Sequence, residues 1–278
     1  MSNFKGINKL NKFNKFNIPK IDDNINEFNS YVLAGSIHKN IRKDIQSKIS
    51  IGSSIYDLSN FINSRIRHYT QDTGVNGGIA FPPVLSVSNK TAHYSPTKKN
   101  DTILTEMDNV KIDFGVHVNG YMVDSAFSVY FNETHDQIHQ VCKEALYEGL
   151  KHVGIEGYIK DCSKAITEVI QSSEFNIIDG LCGHNINRYN VHGGQLICNN
   201  YNKFNIFNNS KRFKKGAYAI EPFISYKKSK FYMDNIENNY QVKNSSNPLY
   251  KYFNNLIFSD SHVEYYNVNN IFLFQKYC

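Results

Sequence analysis

The run VKIDFGVHVNGYMVDSAFSVYF, residues 110–131, decides how this chain folds. Two β-rich segments flank Asn119-Gly120, a pair that favours a two-residue type I′ hairpin turn. With those residues as the loop, Val118 pairs with Tyr121, which sets Asp113 opposite Ala126 and Asp124 opposite Gly115. Side chains alternate with period two, so positions 124 and 126 share a face. Asp113 and Asp124 therefore project together as a diagonal cross-strand pair, roughly 7–8 Å apart at Cα. Two carboxylates on a face otherwise lined by apolar residues repel each other and resist desolvation. A divalent cation, or two, is the simplest remedy. The alternative is a solvent-exposed face on which both aspartates are merely hydrated, and the spacing alone does not decide between them.

Around this hairpin the pattern is that of an α+β protein without a linker that would separate independent domains. Apolar residues recur at three- and four-residue steps over 25–49 and 53–67, which predicts two amphipathic helices, with Ser53 or Ser54 as N-cap of the second. A turn is expected at Asp72-Thr73-Gly74, then a short apolar run, GGIAFPPVLSVS, and a polar loop over 89–101. Further helices fit 134–153 and 159–172. Beyond Phe175 the chain reads as short strands and loops with Asn-rich insertions near 199–210 and 234–248.

Composition narrows the function classes. The chain has 278 residues, 41% of them hydrophobic and 20% charged, ordinary for a globular protein with a sizeable core. Mean hydropathy is −0.47, and no run of about 18 apolar residues could span a bilayer. Five scattered cysteines without a CxxC pair disfavour a thiolate zinc site or a disulfide framework. Reduced thiols in a cytoplasmic protein are expected. Residues 1–22, MSNFKGINKLNKFNKFNIPKID, lack a signal-peptide core and read as a mobile basic arm. The sharper reading of that arm is a tether to a ribosome or another RNA surface. The net charge of +6 is too modest to argue for a specific nucleic-acid partner.

Other metal-ligand types lie outside the hairpin. LCGHNINRYNVHGG carries His184 and His192 beside glycines, GAYAIEPF carries Glu221, and TAHYSP places His93 before Pro96. A lone histidine is more often a surface or core residue than a ligand. Asp, His and Glu together, however, form an oxygen-rich donor set suited to Mn, Fe, Co or Zn.

At these residues a resemblance becomes specific. NGGIAFP (76–82), AHYSP (92–96), KIDFG (111–115), GYMVDSAF (120–127), GHNINRYNVHGG (183–194) and AIEPF (219–223) resemble the successive signature segments of type 2 methionine aminopeptidases. GIEGYIKDCSKAITEVI (154–170) resembles the family's helix between those blocks. Order and intervals agree as well, including eleven residues from Asp113 to Asp124 and eight from His184 to His192. The resemblance covers roughly residues 25–225.

It implies the pita-bread fold, two pseudo-symmetric α/β halves around a dinuclear site, with residues 23–278 as a single catalytic domain. It further implies that Asp113, Asp124, His184 and Glu221 ligate divalent metal (Co, Mn, Fe or Zn), with Asp124 bridging two ions. Glu221 would also act as acid/base. His93 and His192 would bind substrate around the scissile amide as catalytic non-ligands. Phe81 and Ile79 are candidate linings of a methionine pocket, or else core. The implied reaction removes the initiator methionine from nascent polypeptide N-termini, a metal-activated water attacking the first peptide bond. A monomer acting without a membrane is expected.

Two departures stand against that pattern. The family's last ligand is a glutamate in a strand near the C-terminus, and in SHVEYYNVNNIFLF (261–274) the best register places Asn267 there, with Glu264 three residues away. Asparagine offers a neutral carbonyl oxygen and cannot bridge two cations with negative charge. The helical insertion after Glu221 also looks shortened near 225–260, with LYKYFNNLIF (249–258) as its remnant. Two other readings follow: a pita-bread binding module that has lost catalysis, and a related peptidase acting at Xaa-Pro bonds.

Overall fold

Asn119 and Gly120 both take left-handed backbone angles, φ 50° and 80°, as the type I′ turn requires. The computed structural model describes residues 26–71, 76–203 and 210–227, and the backbone of three short strands further on. Two antiparallel strands, β2 (Asn109–Val118) and β3 (Tyr121–Tyr130), flank that turn. Their register pairs Val118 with Tyr121, Asp113 with Ala126 and Gly115 with Asp124, as the sequence predicts.

A third strand, β1 (Gly77–Val87), pairs antiparallel with β2 and forms the sheet edge. Its register slips between Ile79 and Phe81 and again between Phe81 and Val84. Pro82 and Pro83 fall in the second slip, where a residue without an N–H costs no ladder hydrogen bond. The run that the sequence shows only as a short apolar segment is thus a bulged edge strand.

Two helices cover this sheet. α1 (Glu27–Gln46) packs on β2 and β3, and α2 (Ile55–Thr70) packs on β1. Ser54 caps α2, its hydroxyl accepting from the Asp57 amide. Ile37, Ile41, Ile62 and Ile66 meet Ile112, Phe114 and Val116 in one core, and Arg65 ties the helices together through Asp44.

The second half begins with a 3₁₀ turn at Glu133–His135 that leads into α3 (Asp136–Leu150), so α3 starts later than the pattern predicts. α3 packs on α4 (Ile159–Gln171), whose Cys162, Ile166 and Ile170 meet Ile197 and Phe213 in a separate core. The two-residue strands β4 (Asn176–Ile177) and β8 (Ile224–Ser225) pair with each other. β5 (Cys182–Ile186) runs between β6 (Leu196–Cys198) and β7 (Ala217–Ala219). Three last strands, β9 (Asn239–Val242), β10 (Ile257–Ser259) and β11 (Phe274–Lys276), form a sheet in the order β10-β9-β11. The basic arm, the turn at 72–74, Glu264, Asn267 and most of 249–258 lie outside the described residues. Among the described residues no helix is long and apolar enough to cross a membrane.

One buried side chain gives the first half a pH signature. His38 on α1 stacks on the Phe114 ring at 4.0 Å, and its Nε2 bonds the Phe114 carbonyl at 3.0 Å. Burial pushes its imidazole down to about 4 from 6.5. The folded state therefore refuses a proton that the unfolded chain takes up. The stability of a neutral His38 is complete above about pH 6.5 and is lost as pH falls toward 4. The melting temperature of the native chain should exceed that of His38→Gln at pH 7.5. The gap should narrow steadily to pH 5, and a constant gap would contradict the assignment.

Candidate metal and active site

The hairpin register aims Asp113 and Asp124 from one face of the first sheet. The Asp113 and Asp124 carboxyl groups hydrogen-bond each other, and the Asp124 side chain is only 11% exposed. Gly115, opposite Asp124, leaves room for Phe81: a Cβ there would lie 2.4 Å from the Phe81 ring. Phe81 is accordingly buried over the strand beside Asp124. Ile79 instead packs against the helix-covered core, the alternative that its sequence context allowed.

The second half brings His184 and Glu221 to the same place. His184 is the third residue of β5 and pairs with Ala219 of β7, so Glu221 follows two residues beyond that pairing. The two strands can approach because Gly183 has no side chain: a Cβ there would stand 2.4 Å from the Ala219 carbonyl oxygen. His184 Nε2 lies 3.3 Å from Glu221 Oε1 and 3.6 Å from Asp124 Oδ2. Asn199, which follows β6, braces this corner by donating to the Leu181 carbonyl at 3.1 Å and the Glu221 carbonyl at 2.9 Å.

A loop locks the halves in register. Arg188 Nε donates to the Asn119 carbonyl at 2.7 Å, and the Tyr189 amide donates to the Gly120 carbonyl at 2.8 Å. The Tyr189 ring covers Gly120 where a Cβ would otherwise stand. The tip of the hairpin that carries both aspartates is thereby held by the segment that carries both His184 and His192.

The electrostatics of the cluster follow from this crowding. Burial, then the Glu221 charge, raises Asp113 from 3.8 to about 7. Burial, then the charges of Asp113 and Glu221, raises Asp124 well above its ordinary value. Burial works to lower His184, but the hydrogen bond and charge of Glu221 and the charge of Asp124 outweigh it and raise the imidazole. His192 meets His184 edge-on at 4.5 Å; burial, His184 and His93 push it down to about 4. His93 is open to solvent on one side and has φ 60°. Burial of its inner side lowers it, opposed by Glu221.

All six residues that the sequence singles out thus meet at one site. The structure seats Phe81 over Gly115 and adds Asn199 and the Arg188–Tyr189 clamp, for which the sequence offers little signal beyond glycines beside the histidines.

The donor set fits a divalent cation. Oδ1 of Asp113 is buried without a hydrogen-bond partner, a costly arrangement that a cation would satisfy. Three carboxylates and one imidazole are the ligand types that Mn, Fe, Co and Zn accept. Among the described residues no three such side chains stand at the spacing of a closed coordination sphere. His184 in this arrangement contacts carboxylate oxygens directly.

Comparison with known proteins agrees with this geometry. The chain is 35% identical over 207 residues to methionine aminopeptidase 2 of Komagataella phaffii, covering 71% of this chain and 45% of that protein. It is 34% identical over 230 residues to methionine aminopeptidase 2 of Kluyveromyces lactis, covering 76% and 54%. It is 32% identical to methionine aminopeptidase 2A of Arabidopsis thaliana over 226 residues, covering 78% and 50%. The chain spans about half the length of the curated relatives it matches.

Among solved structures, a methionine aminopeptidase from Rickettsia prowazekii superposes with a TM-score of 0.62 at 18% identity, covering 85% of this chain and 88% of that one. An X-Pro aminopeptidase from Thermotoga maritima superposes at 0.56 and 18% identity, covering 73% and 55%. At such identities the likeness establishes the fold alone, the pita-bread arrangement of mixed helices and strands that aminopeptidases and prolidases share. A sequence profile of the metallopeptidases matches residues 30–244, and a metallopeptidase implies dependence on divalent metal. With that match spanning most of the chain, the protein belongs to metallopeptidase family M24.

Proposed function

We propose that this chain is a methionine aminopeptidase of the type 2 kind, which releases the initiator methionine from nascent polypeptide N-termini. The observation that carries the reading is the meeting of Asp113, Asp124, His184 and Glu221 with His93 and His192 at one corner, the two outer histidines on its solvent side. The names of the curated relatives support methionine over an Xaa-Pro specificity and do not favour a binding module without catalysis.

Asp113, Asp124, His184 and Glu221 would hold the cation, drawn from Co, Mn, Fe or Zn. A divalent ion there supplies Lewis acidity, polarising a carbonyl oxygen and lowering the pKa of water. Glu221, at 29% side-chain exposure more open than Asp124 or His184, would accept the proton of the attacking water and return it to the leaving amine. His192, neutral around pH 7, would donate a hydrogen bond to the substrate beside the scissile amide, and His93 would do the same. Phe81 forms part of the apolar wall for the methionine side chain.

Two ions are what the resemblance implies, and Asn267 in place of the last carboxylate argues for weaker retention of the second. The single catalytic domain at 23–278, its shortened insertion, a monomeric cytoplasmic protein and ribosome contact through residues 1–22 belong to the same proposal.

A peptide panel tests the specificity. With Mn(II) supplied, Met-Ala-Ser should lose its methionine while an Xaa-Pro peptide stays intact. Cleavage of the second without the first would replace this reading by a prolidase-like one.

A further inference from the structure

Cys182 on β5 and Cys198 on β6 are directly opposed across an antiparallel pair, with their sulfur atoms 3.3 Å apart. Directly opposed residues of such a pair have Cα atoms about 4.5–5.5 Å apart, inside the roughly 4.4–6.8 Å range that disulfides span. Closing the bond needs little more than side-chain rotation. Both residues are partly exposed, whereas Cys162 is buried. The hydrogen bond that Cys182 donates, aided by the charge of Lys211 and opposed by burial, holds the Cys198 thiol down to about 7. Cys182 lies on the same face of β5 as His184, two residues along the strand. Nothing in the peptidase mechanism uses either thiol.

We propose that Cys182 and Cys198 form a reversible dithiol–disulfide switch, closed by a hydroperoxide oxidant, which tunes the affinity of the adjoining site for its cation. The switch itself rests on the thiol geometry, while its effect on the cation rests on the function proposed above.

The Cys198 sulfur attacks a peroxide oxygen, forming an S–O bond and breaking O–O; the departing hydroxide leaves as water after taking a proton. The Cys182 sulfur then attacks the Cys198 sulfur. An S–S bond forms, the S–O bond breaks, and the second hydroxide takes the Cys182 proton. The two thiols are oxidised by two electrons, and one hydrogen peroxide is reduced to two waters. The new bond draws β6 against the end of β5 and shifts His184, two residues along, relative to Glu221. Repositioning the support of a ligand typically costs 10–100-fold in metal affinity.

The test treats the metal-free full chain with hydrogen peroxide, removes excess oxidant, and maps tryptic peptides by mass spectrometry. A linked pair carrying Cys182 and Cys198, reversed by dithiothreitol, is expected. Sulfinic acid on Cys198 with Cys182 still free, or bridges joining either residue to another cysteine, would overturn the switch. Calorimetric titration with Mn(II) should then show affinity lowered at least about tenfold by oxidation. Cys198→Ser should keep the reduced-state affinity and ignore peroxide, while Cys162→Ser should respond as the native chain does. Equal Mn(II) affinity in both redox states overturns the coupling. A reduced chain that binds no Mn(II) at all counts against the metal-site reading, and the peptide map still decides the disulfide.

Discussion

Asp124→Asn is expected to cut metal-dependent methionine release by orders of magnitude while making the metal-free protein more stable. The loss of activity follows from position: Asp124 faces Asp113, Glu221 and His184 at once, so its charge bears on every other candidate ligand. Removing its charge should lower kcat/KM by roughly 10²–10³-fold or more, as losing a preorganised electrostatic contact does. The gain in stability follows from the same crowding. Without a cation, the fold holds Asp113 and Asp124 against each other, and burial raises both above the ordinary carboxylate range.

The sign is that of a raised carboxylate. Folding binds protons that the unfolded chain releases, so the penalty is absent below about pH 3.8 and grows as pH rises toward about 7. Each pKa unit is worth about 1.4 kcal/mol, so relieving part of the shift should stabilise the chelator-treated variant by one to a few kcal/mol. Urea unfolding of chelator-treated native and variant chains at pH 7.5 and 4.5 checks this. The variant should be the more stable at pH 7.5, with the advantage shrinking at 4.5. A variant less stable at both values would show that the aspartates do not strain the fold.

Gly183→Val should cost both stability and activity although it removes no functional group. The glycine lets β5 approach β7 to the point where any Cβ would collide with the Ala219 carbonyl, a backbone atom that cannot swing aside. Valine must push the strands apart, and overpacking of this kind costs roughly 1–3 kcal/mol. The larger effect is on the site, because His184 lies on β5, Glu221 follows two residues after β7, and the two stand 3.3 Å apart. A displacement of about 1 Å costs on the order of 10²-fold in rate. Mn(II) affinity and methionine release should fall together, whereas Gly35→Ala, in open space on α1, should change neither.

These two positions also show what the sequence could reveal. Asp124 was legible because its placement is local: Asn119-Gly120 fixes the turn, the turn fixes the register, and the period of two fixes the face. Gly183 was visible only as a residue beside a histidine. Its reason lies in a strand that starts 34 residues later, at Ala217, and no local pattern encodes that approach. Cys182 and Cys198 read as scattered for the same cause, since β5 and β6 are too short and too interrupted by glycine to announce that they pair. Pro82 and Pro83 hid β1, because a proline pair argues against a strand unless the bulge that accommodates it is known. For the second half, the ordered signature segments carried the fold where periodicity could not. His184 and Glu221 join Asp124 in the sequence only through that resemblance.

The central claim is that Asp113, Asp124, His184 and Glu221 hold a divalent cation for methionine release. It is tested most directly by stripping the chain with chelator, titrating Mn(II), Fe(II), Co(II) or Zn(II) back, and following free methionine from Met-Ala-Ser in the same samples. Release that rises with occupancy of the tighter site, and is lower by at least about 100-fold in Asp124→Asn at every metal concentration, is the expected result. A native chain that releases no methionine with any of the four metals, or that releases it equally well after chelation, would contradict the account.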